Sequence, residues 1–401
     1  MKTRLKKLFF ILLAISLPCF VLFCVFELAV RLFLPDIIKY PQGLFVEAQS
    51  PQYYKFAPGF KGRIKQSDYD IRVEINEDGF RDYASARFSV DGDADGLKND
   101  SANTSTSPLL QPQPRQKKII GLGDSFAFGD GVELEESFYA LLEAQLNHQD
   151  PHQNPQQKVR IIKTGCHGYN TEQELEVLKK LLLAGEKADI AMLAFYINDL
   201  SDIGQVRKVE GGHLVASKQK GYLSGTKAFV LRHSRLCRLA YNHVVRNMVL
   251  LSWLQKSGLL AAHDRSYNHS NKFLVDAPEK VTQQWQEQKR LLERMQKLCK
   301  ESGVQLQLFY IPIQYQVDED LWGAMKKSLS LLEDDYDLNL PNRLLGQYCS
   351  ELEIDYLDLT PVIRNNSGAS YYFPHDPHFN VAGHAVSANC LVPFVKPYMN
   401  P

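Results

Sequence analysis

From residue 117 onward, short apolar runs alternate with longer stretches in which apolar positions recur every three or four residues. The runs predict β-strands and the longer stretches predict helices. The predicted strands cover 117–122, 159–163, 188–196, 304–311 and 354–358. The predicted helices cover 136–147, 171–185, 279–302, 341–352 and 380–395. This rhythm is typical of an α/β fold, a three-layer α/β/α arrangement around a parallel sheet of about five strands.

The N-terminus has a different pattern. Residues 8–26 form an apolar stretch of 19 residues without a charge, preceded by the basic flank Lys2, Arg4, Lys6 and Lys7. That length suffices to cross a bilayer, and the basic flank should stay in the cytoplasm. A cleaved signal peptide is the alternative, but no Ala-x-Ala-like site follows. We therefore expect an uncleaved transmembrane signal-anchor over 1–35, with the rest periplasmic or extracellular.

Three further segments complete the predicted organisation. Residues 36–84 predict a small β-rich lead-in, because apolar and polar residues alternate over 69–76. Residues 85–116 are rich in Ser, Asp, Asn, Gln and Pro and predict a flexible insertion. The domain over 117–401 contains a helical insertion at about 200–285. Its predicted helix over 229–256 could cover the rim of the site, pack on the body or touch the membrane surface.

Composition excludes several functions. Lys+Arg and Asp+Glu both number 46, so no net charge draws the chain to nucleic acid. Seven scattered cysteines without a Cys-x-x-Cys spacing argue against a disulfide framework and a zinc site, although one disulfide of unassigned pairing could form. The chain has no dinucleotide fingerprint or phosphate-binding loop. We expect no metal and no cofactor.

The candidate chemistry begins with Gly-Leu-Gly-Asp-Ser-Phe at 121–126, directly after a predicted strand. Open α/β sheets bind ligands at the carboxyl ends of their strands, where a serine hydroxyl can act as a nucleophile. Taken alone, Ser125 would be an ordinary helix cap. The chain has no Gly-x-Ser-x-Gly elbow around this serine, which argues against the α/β-hydrolase fold.

Three later segments change that interpretation. Gly-Cys-His-Gly-Tyr-Asn at 165–170 and Phe-Tyr-Ile-Asn-Asp at 195–199 each follow a predicted strand, and an Asp/His-rich block occupies 375–384. In this order the blocks resemble the SGNH (GDSL-type) hydrolases over about 117–395. The string Asn-x-x-Gly-Phe-Arg-Asp at 76–82 is similar to membrane-anchored bacterial members.

The resemblance implies a role for each block. Ser125 would be the nucleophile, and the oxyanion hole would consist of its own amide, the Gly168 amide and the Asn198 side chain. His378 would be the general base, since an imidazole titrates near neutral pH. Asp376 would orient it, although the common family spacing of Asp-x-x-His would place an acid where His375 stands. A Ser-His dyad is the alternative.

Other polar residues near these blocks have structural interpretations. Asp124 would cap the helix after the nucleophile or fix the turn by its charge. His384 should have a structural role in the following helix, and His375 is interpreted as a rim residue. His167 could line the pocket, but exposed loop histidines usually have no role.

Three functions are consistent with this pattern. The first is an extracytoplasmic serine esterase or deacylase that acts on acyl esters of a glycan, lipid or small molecule. The second is an O-acyltransferase with the same site, whose acyl group could come from a membrane partner. The third is a non-catalytic, membrane-tethered binding or assembly protein. Sequence alone does not determine the substrate or the oligomeric state.

Overall fold

The computed structural model describes most of the chain and forms two compact units. One unit comprises 40–217 and 266–401, and the other comprises 1–39 and 218–265. The described residues are 2–33, 40–83, 116–148, 158–204, 206–210, 213–216, 229–230, 233–246, 269–329, 331–365 and 370–399. The predicted flexible insertion therefore lies outside the described residues except for residue 116.

The lead-in segment forms two antiparallel hairpins. β1 (Phe45–Glu47) pairs with β2 (Tyr54–Phe56), and β3 (Lys61–Lys65) pairs with β4 (Asp70–Glu74). In β4 the buried and exposed residues alternate, as the sequence pattern predicts for a strand with one face on a core.

The centre of the larger unit is a five-stranded parallel sheet. Its strands are β5 (Lys118–Gly123), β6 (Arg160–Lys163), β7 (Ile190–Tyr196), β10 (Gln305–Ile311) and β11 (Asp355–Asp358), in the spatial order β11-β10-β7-β5-β6. All seven residues of the central strand β7 are buried, which explains its continuous apolar run. The order reverses between β5 and β7, and that reversal is where doubly wound sheets bind ligands.

Helices cover the sheet and follow its strands. In chain order they are α2 (Ser125–Phe128), α3 (Phe138–His148), α4 (Thr171–Leu183), α5 (Ile197–Asp202), α7 (Glu279–Ser302), α8 (Gln314–Val317), α9 (Glu319–Leu329), α10 (Leu340–Glu351), α11 (Thr360–Asn365) and α12 (Val381–Met399). The predicted three-layer α/β fold is confirmed, and each predicted strand and long helix of this unit has its counterpart within a few residues.

The insertion after α5 contains a hairpin that the sequence did not predict. A two-stranded hairpin, β8 (Arg207–Glu210) with β9 (His213–Ala216), comes first. The two Gly residues at 211–212 in the sequence favour a tight hairpin turn over a helix. The predicted helix over 229–256 is shorter in the described residues, where α6 covers Arg235–Arg246. Ser234 caps the start of α6 by accepting a hydrogen bond from the Cys237 amide.

The smaller unit contains α1 (Lys2–Phe33) in addition to α6. Among the described residues, α1 is the helix that is long and apolar enough to cross a membrane. Its window Ser16–Phe33 has a mean hydropathy of 2.0 and no buried residue. This window overlaps the predicted anchor but begins later along the chain.

Candidate active site

The turn that carries Ser125 is shaped by the residue types of the Gly-Asp-Ser block. Gly123 ends β5 with φ 144°, and a Cβ there would lie 2.7 Å from the Ala127 Cβ, so only glycine fits. The Asp124 carboxylate accepts a hydrogen bond from the Phe126 amide at 2.9 Å and caps α2. Ser125 is therefore the first residue of a helix, at the carboxyl end of a central strand.

His378 joins this turn from a loop near the C-terminus. Its Nε2 lies 2.7 Å from the Ser125 Oγ, and its Nδ1 makes a short hydrogen bond to the Asp376 carboxylate. Asp376 also accepts from the His378 amide at 3.1 Å, which is possible because the two residues are only two positions apart. All three side chains are buried. The Asp-x-His spacing thus brings carboxylate, imidazole and hydroxyl into one hydrogen-bonded row.

The proposed oxyanion donors lie on the neighbouring strand ends. Gly168 is in the turn after β6, and Asn198 is in the first turn of α5, directly after β7. The Asn198 Nδ2 donates to the Asp124 Oδ2 at 2.8 Å, so the cap of α2 also orients this amide. In the part of the chain that the structure describes, neither the Ser125 nor the Gly168 amide donates to a backbone acceptor outside its own turn.

The electrostatics of Asp124 differ from those of an ordinary exposed cap. Burial raises its pKa from 3.8 to about 6, although the hydrogen bonds from Phe126 and Asn198 act in the opposite direction. Near neutral pH the residue is ionised, accepts both bonds and adds negative charge beside the nucleophile. This geometry supports a capping and orienting role.

A second His-Asp pair stands behind the first. His167 is 1% exposed, and its Nδ1 lies 3.1 Å from the Oδ2 of Asp130, which is fully buried. The same Asp130 oxygen is 3.9 Å from the His378 Nε2. The expectation that His167 is an exposed loop residue is therefore wrong, because the aromatic rings of Phe45, Phe56 and Phe128 enclose it. Sequence analysis did not identify Asp130.

Arg81, in the Asn-x-x-Gly-Phe-Arg-Asp string, has a structural role beside the site. Its buried guanidinium donates to the carbonyl oxygens of Phe128, Gly129 and Val132 and so holds the loop that carries Asp130. Burial lowers the pKa of Arg81 to about 10 despite the attraction of Asp130. The next residue, Asp82, pairs with Arg160 and Lys163 on β6. The lead-in thereby supports both loops of the site.

The other two histidines considered in the sequence analysis, His375 and His384, lie apart from the Ser125 hydroxyl. His384 is fully buried on α12, its Nδ1 accepts from the Phe138 amide at 3.2 Å, and burial lowers its pKa to about 3. This is a packing position. His375 is largely exposed and pairs with Asp68 at 2.8 Å, which puts it at the surface beside the lead-in.

No group of three His, Cys, Asp or Glu side chains suited to a metal ion occurs among the described residues. The seven cysteines are free thiols, so none forms the disulfide that the sequence left open. A cavity of about 760 Å³ lies between the lead-in and α4, with Cys166 and Tyr169 among its walls, and Ser125 and His378 do not line it.

Comparison with known proteins supports the sequence resemblance. Residues 270–398, which include the Asp376 and His378 block, match a family model described as "SGNH hydrolase-like domain, acetyltransferase AlgX". No curated protein matches the chain. The match covers less than half of the chain.

Solved structures of similar architecture have low sequence identity. The enzyme LAE5, from the metagenome of Lake Arreo in Spain, is 14% identical with a TM-score of 0.39, covering 72% of this chain and 98% of its own. The acetyl xylan esterase AlAXEase is 13% identical with a TM-score of 0.38, covering 69% of this chain and 99% of its own. Esterase EstA from Pseudoalteromonas sp. is 12% identical with a TM-score of 0.37, covering 71% of this chain and 100% of its own. Overlap at this level carries no argument about activity.

The resemblance to the SGNH hydrolases is confirmed by the family match, together with the parallel five-stranded sheet. Residues 270–398 therefore match the family model of an SGNH hydrolase-like domain, and this segment contains Asp376 and His378.

Proposed function

We propose that the protein is a serine esterase or deacylase that hydrolyses acyl esters of a glycan, a lipid or a small molecule through an acyl-serine intermediate. The observation that carries this proposal is the row of Asp376, His378 and Ser125, with 2.7 Å between the imidazole Nε2 and the hydroxyl. A base at that distance can remove the hydroxyl proton without rearrangement.

In the first half-reaction the Ser125 Oγ attacks the ester carbonyl carbon while its proton passes to the His378 Nε2. The Asp376 carboxylate accepts from the Nδ1–H and stabilises the imidazolium that forms. Collapse of the tetrahedral intermediate breaks the bond to the alcohol oxygen, which takes the proton from Nε2. The acyl group is then an ester on Ser125.

In the second half-reaction a water molecule replaces the alcohol. The His378 Nε2 takes a proton from the water, the hydroxide attacks the acyl carbon, and the proton returns to the Ser125 Oγ as the acid departs. Negative charge on the carbonyl oxygen would be stabilised in both halves by the Ser125 amide, the Gly168 amide and the Asn198 Nδ2. Preorganised donors of this kind are effective because they are buried and already oriented.

The second candidate is an O-acyltransferase, in which the hydroxyl of an acceptor replaces water in the second half-reaction. The description of the matching family model as an acetyltransferase favours it. The same residues would act, and the acyl group could be supplied by a membrane partner. The two candidates differ in whether water or the acceptor reaches the acyl-serine first.

The test is hydrolysis of p-nitrophenyl acetate by the purified full chain, with and without a sugar acceptor. An esterase releases acetate at a rate independent of the acceptor, whereas a transferase yields an acetylated sugar detectable by mass spectrometry. A Ser125→Ala variant is the matched control and should lose both products. Absence of p-nitrophenol release by the unmodified chain with short and long acyl esters would favour the non-catalytic binding alternative.

We also propose that α1 anchors the chain and that the larger unit lies outside the cytoplasm. The apolar window Ser16–Phe33 and the preceding basic flank support this location. A cleaved signal peptide has the same composition, so the discriminating experiment is N-terminal tagging. An anchor keeps the tag with the membrane fraction after alkaline extraction, and external protease digests the catalytic unit.

A further inference from the structure

The chain has no net charge, but its positive charge is unevenly distributed. Residues 211–263 contain four Lys and four Arg and no Asp or Glu, although Asp+Glu make up 46 of the 401 residues. Such a block has no internal acidic partners in the sequence. A cationic block of this kind favours an anionic partner, either a nucleic acid, an acidic protein or an acidic lipid surface.

The contact between α6 and α1 indicates which of these partners is favoured. The carboxylate of Glu27, on the candidate membrane helix, accepts from the backbone amides of Arg235 and Leu236, both at 2.9 Å. It also accepts from the Ser234 hydroxyl at 2.8 Å. One side chain of α1 therefore caps the N-terminus of α6 with three hydrogen bonds.

Arg31, one helical turn after Glu27, adds to this junction. Its Nε pairs with Glu27 at 2.8 Å, and its Nη2 donates to the His233 carbonyl at 2.6 Å. In return the Arg235 Nη1 donates to the Arg31 carbonyl at 3.3 Å. Charged groups are costly in an apolar membrane helix unless they are partnered, and here both are partnered by the segment that begins α6. The junction therefore ties α6 to the last two turns of the candidate span.

The segment around α6 also has the composition of an interfacial helix. In the sequence, Leu236, Leu239 and Ala240 recur at the spacing of one helix face, while the arginines at 235, 238 and 246 follow another. Phe229 and Leu239 are 64% and 37% exposed. Exposed apolar side chains in a segment whose sequence is rich in arginine are typical of helices that lie in the plane of a membrane interface.

We propose that α6 (Arg235–Arg246) is an in-plane helix that binds the acidic phospholipid headgroups around the end of α1. Continuity with the candidate span favours lipid over a nucleic acid or a soluble protein, because the Glu27 junction keeps α6 beside the helix that crosses the bilayer. The apolar face would enter the headgroup region while the arginines contact phosphates. Each arginine near an acidic surface contributes about 1 kcal/mol, equivalent to about fivefold in binding.

The test uses the full chain in vesicles with a depth-sensitive fluorophore. The accessible cysteines Cys19, Cys24, Cys237 and Cys390 are replaced by alanine, and Leu239→Cys is labelled with nitrobenzoxadiazole. Vesicles contain either phosphatidylcholine alone or phosphatidylcholine with phosphatidylglycerol. Quenching by shallow doxyl-lipids and by aqueous iodide is measured in both. Lys297→Cys is the matched control, because its side chain is 77% exposed on α7.

The expected result is strong lipid quenching and little iodide quenching at position 239 in the acidic vesicles, with severalfold weaker lipid quenching in phosphatidylcholine alone. Position 297 should be quenched by iodide in both. Iodide access at 239 equal to that at 297 would overturn the proposal. Equal lipid quenching in the two vesicle types would overturn the assignment to acidic headgroups, and protection from both quenchers would point to a protein partner instead.

Two variants test the junction. Glu27→Ala removes all three hydrogen bonds that this carboxylate accepts from the start of α6, and it should increase iodide quenching of the probe at 239. Glu27→Gln keeps one acceptor oxygen and should increase that quenching less. Far-UV circular dichroism and membrane retention report whether each variant still folds and inserts. An inserted, folded Glu27→Ala protein with unchanged quenching at 239 would show that the junction does not hold α6 on the surface.

Discussion

His378 and His167 offer a comparison within one site. Both imidazoles are buried, and each lies beside a carboxylate: Asp376 for the first and Asp130 for the second. The His378 Nε2 also lies 2.7 Å from the Ser125 hydroxyl. The surroundings of the second imidazole differ, because His167 is packed among aromatic rings. These are the rings of Phe45, Phe56, Phe128 and Tyr40. A buried His-Asp pair can act as a general base for nucleophilic attack where the imidazole is also hydrogen-bonded to a nucleophile, as His378 is to Ser125.

The second pair has a different use. Asp130 follows the nucleophile turn, His167 directly precedes Gly168, and their contact joins the two loops that would hold the oxyanion. The Asp130 oxygen also faces the His378 Nε2 at 3.9 Å, where its charge would favour an imidazolium. We therefore expect the Asp376–His378 pair to determine kcat, and the Asp130–His167 pair to hold the two loops of the site in position.

The largest effect should come from replacing the two histidines in turn. His378→Gln removes the base and should lower kcat on the order of 10⁴-fold or more. His167→Gln should lower kcat by less than about tenfold but cost about 1–3 kcal/mol of stability, because buried polar groups lose a partner. Ester hydrolysis and urea unfolding measure the two effects. Similar losses of kcat in both variants would abolish the distinction between the pairs.

The carboxylates provide the next comparison. Asp376→Asn leaves the Nδ1 of His378 without its acceptor and favours the wrong tautomer, so kcat should fall on the order of 10³–10⁴-fold. Asp130→Asn should reduce kcat roughly tenfold, since it removes a charge 3.9 Å from the base but no hydrogen bond to it. Kinetics with an activated ester distinguish the two. If Asp130→Asn were the more damaging substitution, Asp130 would be the orienting carboxylate.

Substitution of Asn198 removes a proposed oxyanion donor without changing either His-Asp pair. Asn198→Ala removes one proposed oxyanion donor and should lower kcat about 10²–10³-fold with little change in KM. Asn198→Asp is the control, because it keeps the size but replaces the donor with an acceptor that repels Asp124. An unchanged kcat in the alanine variant would show that the Asn198 Nδ2 serves only the Asp124 cap.

The smallest effect on rate should come from Asp124→Asn, which keeps one acceptor for the cap and should lower kcat only a few-fold. Its effect on stability depends on pH. Burial raises the folded pKa of Asp124 to about 6, so the folded state holds this proton more tightly than the unfolded chain. The contribution of Asp124 is most favourable below about pH 4 and is lost as pH rises through about 6.

The variant should therefore gain stability relative to the parent between pH 4 and pH 7, by up to about 3 kcal/mol. Denaturant unfolding at several pH values measures this difference. A difference that does not vary with pH would mean that Asp124 has an ordinary pKa in the folded protein.

The same two histidines show what sequence can and cannot predict. Asp376 and His378 are two positions apart, so a local pattern suffices to pair them. Asp130 and His167 are far apart in sequence, and only the packing of the loops after β5 and β6 brings them together. No periodicity marks such a contact, although the glycines that flank Asp130 indicate a tight turn.

At the level of the fold, the central strands β5 and β7 were predictable because each is a short, mainly apolar run. The hairpin at 207–216 was missed because its charged residues weaken the apolar signal, and the Gly-Gly between its strands was the cue. The role of Arg81 was not predictable either, since its partners are backbone carbonyls that carry no sequence signature.

The most direct test of the central proposal is covalent labelling of the hydroxyl. Incubation of the full chain with a fluorophosphonate should add one label to the tryptic peptide that contains Ser125, at a rate that falls sharply in His378→Gln and only slightly in His167→Gln. Mass spectrometry gives the site and the rate. Labelling of another serine, or equal labelling of Ser125 in the parent chain and in His378→Gln, would contradict the proposal that His378 activates Ser125.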